Sequence, residues 1–255
     1  MKINTVKQAL REGRMQLGTA YQQLRSQDVI RALAAAGFDW AFIDTEHGGF
    51  GIGEVQDLCR MAVKAGLSPI VRVPELQYGL VARALDCGGE GVIFPRVESP
   101  ALLAQAVSWT KFPPEGQRGC GLTPLHIDFE AATIAEIMAH ANRETMVVLQ
   151  IETARAVEAC DELLSVPHID AVMVGPVDLS ISLGVPGEFE HPKMIGAVEK
   201  IFASCAAHGV APGAQARNAA LARRWKQMGA LFLGCSSEIQ MLYEKARENA
   251  SALKS

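Results

Sequence analysis

Ionisable side chains gather just past several short apolar runs of this 255-residue sequence. Asp44, Glu46 and His47 follow the run containing Phe38, Trp40, Phe42 and Ile43. Arg72 stands in "PIVRVP" and Arg96 closes "GVIFPR". Gln150 and Glu152 lie two apart in "LQIE", on one side of an extended chain. Asp178 lies in "GPVDLS", at the turn into a helix. Glu152 and Asp178 are the informative pair. Two carboxylates held close in a cleft either share a proton or bind a cation. Oxygen donors with few nitrogens suit Mg²⁺ or Mn²⁺, which keep waters and leave room for substrate; Co²⁺ or Zn²⁺ would also serve. Each residue also has a plainer use. Asp178 favours a helix N-terminus by charge alone, Glu152 could pair with Arg155, Arg72 could serve a structural ion pair, and a single His47 reads as a loop histidine. Their concentration at one kind of position argues for chemistry.

The lysines narrow that chemistry. They stand at 2, 7, 64, 111, 193, 200, 226, 245 and 254, none within or at the C-terminal end of a predicted strand. Schiff-base catalysis in a barrel needs a lysine there, so metal activation of a carbonyl is the natural substitute. "HGGFGIGE" does not complete a dinucleotide-binding fingerprint, because Glu54 stands where the last glycine is required.

The elements that must position these groups follow a regular rhythm. About eight apolar runs, from "MQLGTA" to "ALFLGC", alternate with stretches of helical periodicity. This predicts a parallel sheet. Eight such units over residues 1–255 predict a one-domain (β/α)₈ TIM barrel, with an open doubly wound sheet as the alternative. In a barrel the strand ends that carry the ionisable groups share one rim. Residues 111–129, "KFPPEGQRGCGLTPLHIDF", break the rhythm as a long loop, functional or mobile in character.

Bulk properties exclude several classes. Apolar residues make up 49% and charged residues 20%, with a formal net charge of −4, which gives no electrostatic case for nucleic acid. No apolar run reaches the roughly 18 residues of a membrane span. The first 18 residues lack the continuous apolar stretch of a leader. Six cysteines without a C-x-x-C pair read as buried free thiols, and the expected compartment is the cytoplasm.

"GFDWAFIDTEHG", "PIVRVP", "FPPEGQRG", "LQIET" and "DAVMVGPVDLS" resemble, in this order, signature segments of the HpcH/HpaI family of metal-dependent pyruvate aldolases. The likeness runs from about residue 5 to 245. It implies a barrel whose last helix is exchanged between subunits of a hexamer, a trimer of dimers. It implies a divalent metal on Glu152 and Asp178, chelated by pyruvate or the pyruvate half of a hydroxy-keto acid. It implies that Arg72 holds the enolate oxygen, that Gln150 orients the ketoacid, and that the turn of Gly175, Val177 and Asp178 receives the carboxylate. His47 would be the acid/base, and Asp86 would be its partner. Asp86 falls at the C-terminal end of its helix, the opposite face from His47, so it is expected to serve a neighbouring chain.

The implied reaction is reversible cleavage of a 4-hydroxy-2-oxo acid to pyruvate and an aldehyde. A CoA-ester lyase of the same superfamily and a non-catalytic ketoacid-binding barrel are the alternatives. Thr45 and Gly48 depart from the more usual "DGEHA", and Val177 from "GPADLS". "TAYQQLRS" and "GLTPLHIDF" also differ, and both are expected to border the aldehyde half of the site.

Overall fold

The structure is a computed structural model, and it describes residues 1–254. Eight parallel strands close in sequential order: β1 (Gln16–Tyr21), β2 (Trp40–Asp44), β3 (Ser68–Arg72), β4 (Gly91–Phe94), β5 (Met146–Ile151), β6 (Ala171–Val174), β7 (Gly213–Ala216) and β8 (Phe232–Ser237). β8 pairs back onto β1, so the sheet is a barrel and the open alternative is excluded. The helices are α1 (Thr5–Arg11), α2 (Gln27–Ala35), α3 (Ile52–Ala65), α4 (Tyr78–Asp86), α5 (Pro100–Ser108) and α6 (Ile134–Glu144). They continue as α7 (Ala154–Glu158), α8 (Cys160–Leu164), α9 (Pro176–Ser182), α10 (Pro192–His208), α11 (Ala219–Gln227) and α12 (Glu238–Lys254).

Strand alternation divides the apolar residues into two cores. Trp40, Phe42, Ile70, Ile93, Val148, Met173 and Phe232 fill the barrel interior. Their neighbours Ala41, Ile43, Val71, Val92, Leu149, Val172 and Leu233 face the helices. Inside, Trp40 stacks on Phe232 with ring centroids 3.9 Å apart. Glycine is required at position 18, where a Cβ would come within 2.0 Å of the Trp40 ring.

Two features were not foreseen. α1 precedes the first strand and places Val6 and Leu10 in the interior cluster. It is tied there by Lys7, whose Nζ donates to the Thr145 carbonyl at 2.8 Å and pairs with Asp170 at 3.0 Å. The connection from β5 to β6 holds two short helices, α7 and α8, divided at Ala159, where the backbone leaves helical geometry (φ −86°, ψ 12°).

The long segment after α5 is anchored at its start. Lys111 and Phe112 are buried, and Lys111 Nζ donates to the carbonyls of Asn142 and Thr145 at 2.7 and 3.0 Å. The Asn142 side chain meets the Phe112 amide and carbonyl at 2.6 and 3.0 Å. All six cysteines are free; Cys120, in this segment, is exposed, against the expectation of burial.

Candidate active site at the C-terminal rim

The inward parity of each strand carries its last side chain to the rim. On β2, Trp40 and Phe42 fill the interior and Asp44 stands above them; on β3 the sequence is Ser68, Ile70, Arg72. Asp44 and Arg72 are partners in the β2–β3 register. Their side chains form a fork, with Arg72 Nε donating to Asp44 Oδ1 at 3.0 Å and Nη2 to Oδ2 at 2.6 Å. Arg72 Nη1 lies 3.1 Å from Glu46 Oε2. Burial alone would raise the Asp44 carboxyl, but the hydrogen bonds and charge of Arg72 outweigh it and hold it below the usual range. Burial would lower Arg72, and the same carboxylates reverse that. Arg72 is thus a fixed cation whose direction is set by two acids, and its structural ion-pair reading holds as well.

Asp44 also shapes the loop after β2. Its Oδ1 accepts from the amides of Glu46 and His47 at 3.0 and 3.2 Å. Gly48 closes this turn, since a Cβ there would meet the Asp44 carbonyl at 2.1 Å. Thr45 Oγ1 donates to the Arg72 carbonyl at 2.6 Å. Both departures from "DGEHA" therefore have local structural work. The His47 ring is left 60% exposed, with Nε2 3.8 Å from Glu46 Oε1, and it lines the mouth of the barrel.

Gln150 is the inward residue at the end of β5, and Glu152 follows it on the same side. Glu152 Oε2 accepts from Gln150 Nε2, and Oε1 accepts from the Arg96 amide at 2.8 Å. Arg96 adopts φ 56°, which turns its backbone toward the carboxylate. Arg155 pairs with Glu98 instead, so the plainer reading of Glu152 does not hold. Gly175 leaves the space beside this pair open: a Cβ there would stand 2.7 Å from Glu152 Oε2 and 3.0 Å from Gln150 Nε2. Burial raises the Glu152 carboxyl, Gln150 and the Arg96 amide oppose this, and the charges of Asp178 and Glu46 add to the rise.

His47, Arg72, Gln150, Gly175, Val177 and Asp178 line a cavity of about 490 Å³ at this rim. The donor set fits a divalent cation. Glu152 is buried beside the field of further carboxylates, and Gln150 Oε1 is buried without a partner. Among the described residues no cluster of three or more His, Cys, Asp and Glu side chains is disposed around one point. Two carboxylates suit an ion that keeps waters.

Asp86 lies apart from this group. It ends α4, on the face from which β4 starts, and pairs with Arg118 at 2.8 Å. Within one chain it does not orient His47. Residues of "TAYQQLRS", Ala20 and Gln22, line the cavity, whereas none of the described residues of "GLTPLHIDF" does; within one chain Gly121 and His126 pack beside Asp86. The sequence reading missed Asp44 as the partner of Arg72. It also missed Gln22, Gln215, Arg217 and Ser236 in the cavity wall. Strand parity was the available signal, since Gly213, Gln215 and Arg217 recur at a spacing of two.

The chain is 33% identical over 253 residues to 5-keto-4-deoxy-D-glucarate aldolase of Shigella sonnei (strain Ss046), covering 98% of this chain and 97% of that one. The crystal structure of an HpcH/HpaI aldolase from Desulfitobacterium hafniense DCB-2 superposes with a TM-score of 0.92 at 34% identity, over 97% of this chain and 96% of the other. An HpcH/HpaI aldolase/citrate lyase family protein from Burkholderia cenocepacia J2315 gives 0.91 at 33%, over 99% and 100%. The sequence profile of the HpcH/HpaI aldolase/citrate lyase family matches residues 19–244, and the chain belongs to that family.

Proposed function

We propose that the chain's carbon–carbon lyase reaction, reversible retro-aldol cleavage of a 4-hydroxy-2-oxo acid to pyruvate and an aldehyde, uses a divalent cation, Mg²⁺ or Mn²⁺, held by Glu152 and Asp178. The observation that carries this reading is a buried carboxylate, Glu152, that feels the charge of Asp178, together with a cavity wall that holds Asp178 and a fixed arginine. When bound, the cation supplies Lewis-acid stabilisation of negative charge on the oxo-acid oxygens.

The chain's own residues supply the rest. His47 takes the proton from the C4 hydroxyl. The C4–O bond becomes a carbonyl, the C3–C4 bond breaks, and its electron pair passes into the pyruvate enolate. Arg72, already oriented by Asp44 and Glu46, faces the developing charge without reorganising, which is the source of large electrostatic rate effects. Gln150 orients the oxo acid, and the turn from Gly175 to Asp178 receives its carboxylate. Proton return to C3 completes pyruvate.

The proposal extends to the assembly. α12 is 17 residues long, yet only Glu238 of it is buried, while Leu242, Tyr243 and Leu253 are exposed. Such a helix suits exchange between subunits in a hexamer. A neighbouring chain would bring its own equivalent of Asp86 to His47.

Exchange of the pyruvate methyl protons with deuterium, followed by NMR, tests the core of this reading. Exchange should require Mg²⁺ or Mn²⁺ and stop in excess EDTA. Undiminished exchange under chelation would sink it.

A further inference from the structure

The ion pair between Arg118 and Asp86 is unlike an ordinary bridge between a helix and a loop. Arg118 Nη2 donates to Asp86 Oδ1 at 2.8 Å, yet the arginine side chain is only 3% exposed while the carboxylate is 32% exposed. Arg118 Nε is buried without a partner. Burying a cation and leaving one of its donors unmet is costly, and a bridge between two surface groups needs neither. The fold bears that cost to hold one acid from beneath.

The backbone before Arg118 fixes the direction of its side chain. The Arg118 amide donates to the Lys111 carbonyl at 2.9 Å and the Gln117 amide to the Ser108 carbonyl at 2.7 Å. Gly116 is required inside this turn, where a Cβ would stand 2.5 Å from the Lys111 carbonyl. The guanidinium lies over the buried Phe112 ring at 4.8 Å, and Asn142 holds the Phe112 backbone from the other side. The guanidinium is therefore set before any partner arrives.

The grip on Asp86 uses one oxygen. In the Arg72–Asp44 fork both carboxylate oxygens are occupied by the guanidinium. Here only Oδ1 is, and among the described residues nothing donates to Oδ2. Gly121 keeps the space at Oδ2 open, since a Cβ there would stand 2.5 Å from it. The chain on either side of Gly121 is pinned: the Gly119 amide donates to Tyr78 Oη at 3.0 Å, and His126 Nε2 meets the Asp86 carbonyl at 3.1 Å. At the other end of the barrel the His47 ring is 60% exposed, with Glu46 3.8 Å away. It has room for a second acid.

We propose that Arg118 is a positioning residue for the lyase reaction: by holding Oδ1 it presents Asp86 Oδ2, across the gap left by Gly121, to the His47 ring of a second copy. The inference rests on the shared-site reading above. It adds that the face offered to the neighbour is a unit of Arg118, Gly121 and Asp86, and that Arg118 acts only through the acid.

The test follows condensation of pyruvate with glycolaldehyde. Arg118→Gln should lower kcat by about 10-fold or more, because a misdirected group of this kind loses its catalytic geometry. Arg118→Lys should recover part of that loss. Half-saturating pyruvate and the rise in Tm conferred by Mn²⁺ should move little. Gly121→Ala removes no charge and presses on the far end of one side chain, so it should keep the fold and slow kcat in the same way; it carries the comparison if Arg118→Gln fails to fold. Neither substitution should slow Asp86→Asn further. Mixed oligomers give the sharpest reading. Arg118→Gln with His47→Ala should recover activity after subunit exchange. Arg118→Gln with Asp86→Asn should not, because every site then receives a defective face. An unchanged kcat in both Arg118→Gln and Gly121→Ala, a double variant slower than Asp86→Asn, or recovery in the second mixture would overturn the inference. Failure of Asp86→Asn and His47→Ala to complement each other would instead overturn the shared site on which it rests.

Discussion

At the scale of single residues, the site depends on how Arg72 and Glu152 are held. Arg72→Ala would leave Asp44 buried without its cation, a loss of about 3–5 kcal/mol in buried pairs of this kind. Loss of activity in that variant would be confounded by unfolding. Arg72→Lys keeps the charge but cannot form the fork. We expect it to remain folded by circular dichroism while kcat/KM falls by about 10². Glu152 and His47 separate by a different measurement. Glu152→Gln should abolish the rise in Tm that Mn²⁺ confers, because the charged ligand is gone. The substitution is sterically mild, since the free Gln150 Oε1 can accept from the new amide. His47→Ala should retain the Mn²⁺ effect yet slow cleavage by about 10²–10⁴. A His47 variant that lost metal stabilisation would contradict the division of roles.

At the scale of elements, the opposite end of the barrel carries an independent pH signature. Burial lowers the Lys111 amine from its ordinary 10.5 to about 7, with the charge of Lys7 adding to the effect. Lys7 is itself lowered by burial, against the pull of Asp170. Between pH 7 and 8 the Lys111 amine holds its proton in the unfolded chain but loses it in the folded one, so its contribution to stability rises with pH; at higher pH the thiols of Cys59 and Cys205, pushed up by burial, contribute the opposite slope. Thermal unfolding should show Tm climbing from pH 7 toward 8 more steeply in the wild type than in Lys111→Met. An unchanged slope would mean that Lys111 stays charged in the fold. α12 offers a second prediction. Leu242→Glu and Tyr243→Glu alter exposed positions, so the barrel should keep its helical signal while sedimentation reports smaller particles. The same element anchors the site, because Glu238 Oε1 accepts from the amides of Gln22, Gln23 and Leu24. Glu238 thereby ties the start of α12 to Gln22, which lines the cavity.

At the scale of the molecule, the separation of Asp86 from His47 is the main consequence. β2 delivers His47 to one rim, and α4 returns Asp86 to the other. The two faces lie at opposite ends of the barrel, so the proposed cooperation of these residues would need a second copy. Homo-oligomers of Asp86→Asn and of His47→Ala should each be crippled. Mixing the two with subunit exchange verified should restore some competent sites, and activity assays that recovered nothing would refute a shared site.

The sequence by itself determined the alternation of strands and helices, because strands buried on both faces need continuous apolar runs and helices need their own period. It also determined which strand ends carried ionisable groups, and the lack of lysine there. α1 was not legible, since a seven-residue helix is too short for a clear period and is held by partners such as Asp170 that are remote in sequence. Only the tertiary structure decided that Asp44 belongs to Arg72, that Arg217 has no carboxylate partner among the described residues, and that Gln215 lies over Gly234. Those facts depend on strand register and on which neighbour satisfies each charge. A linear sequence states neither, because hydrogen bonds and ion pairs are settled by distance in space.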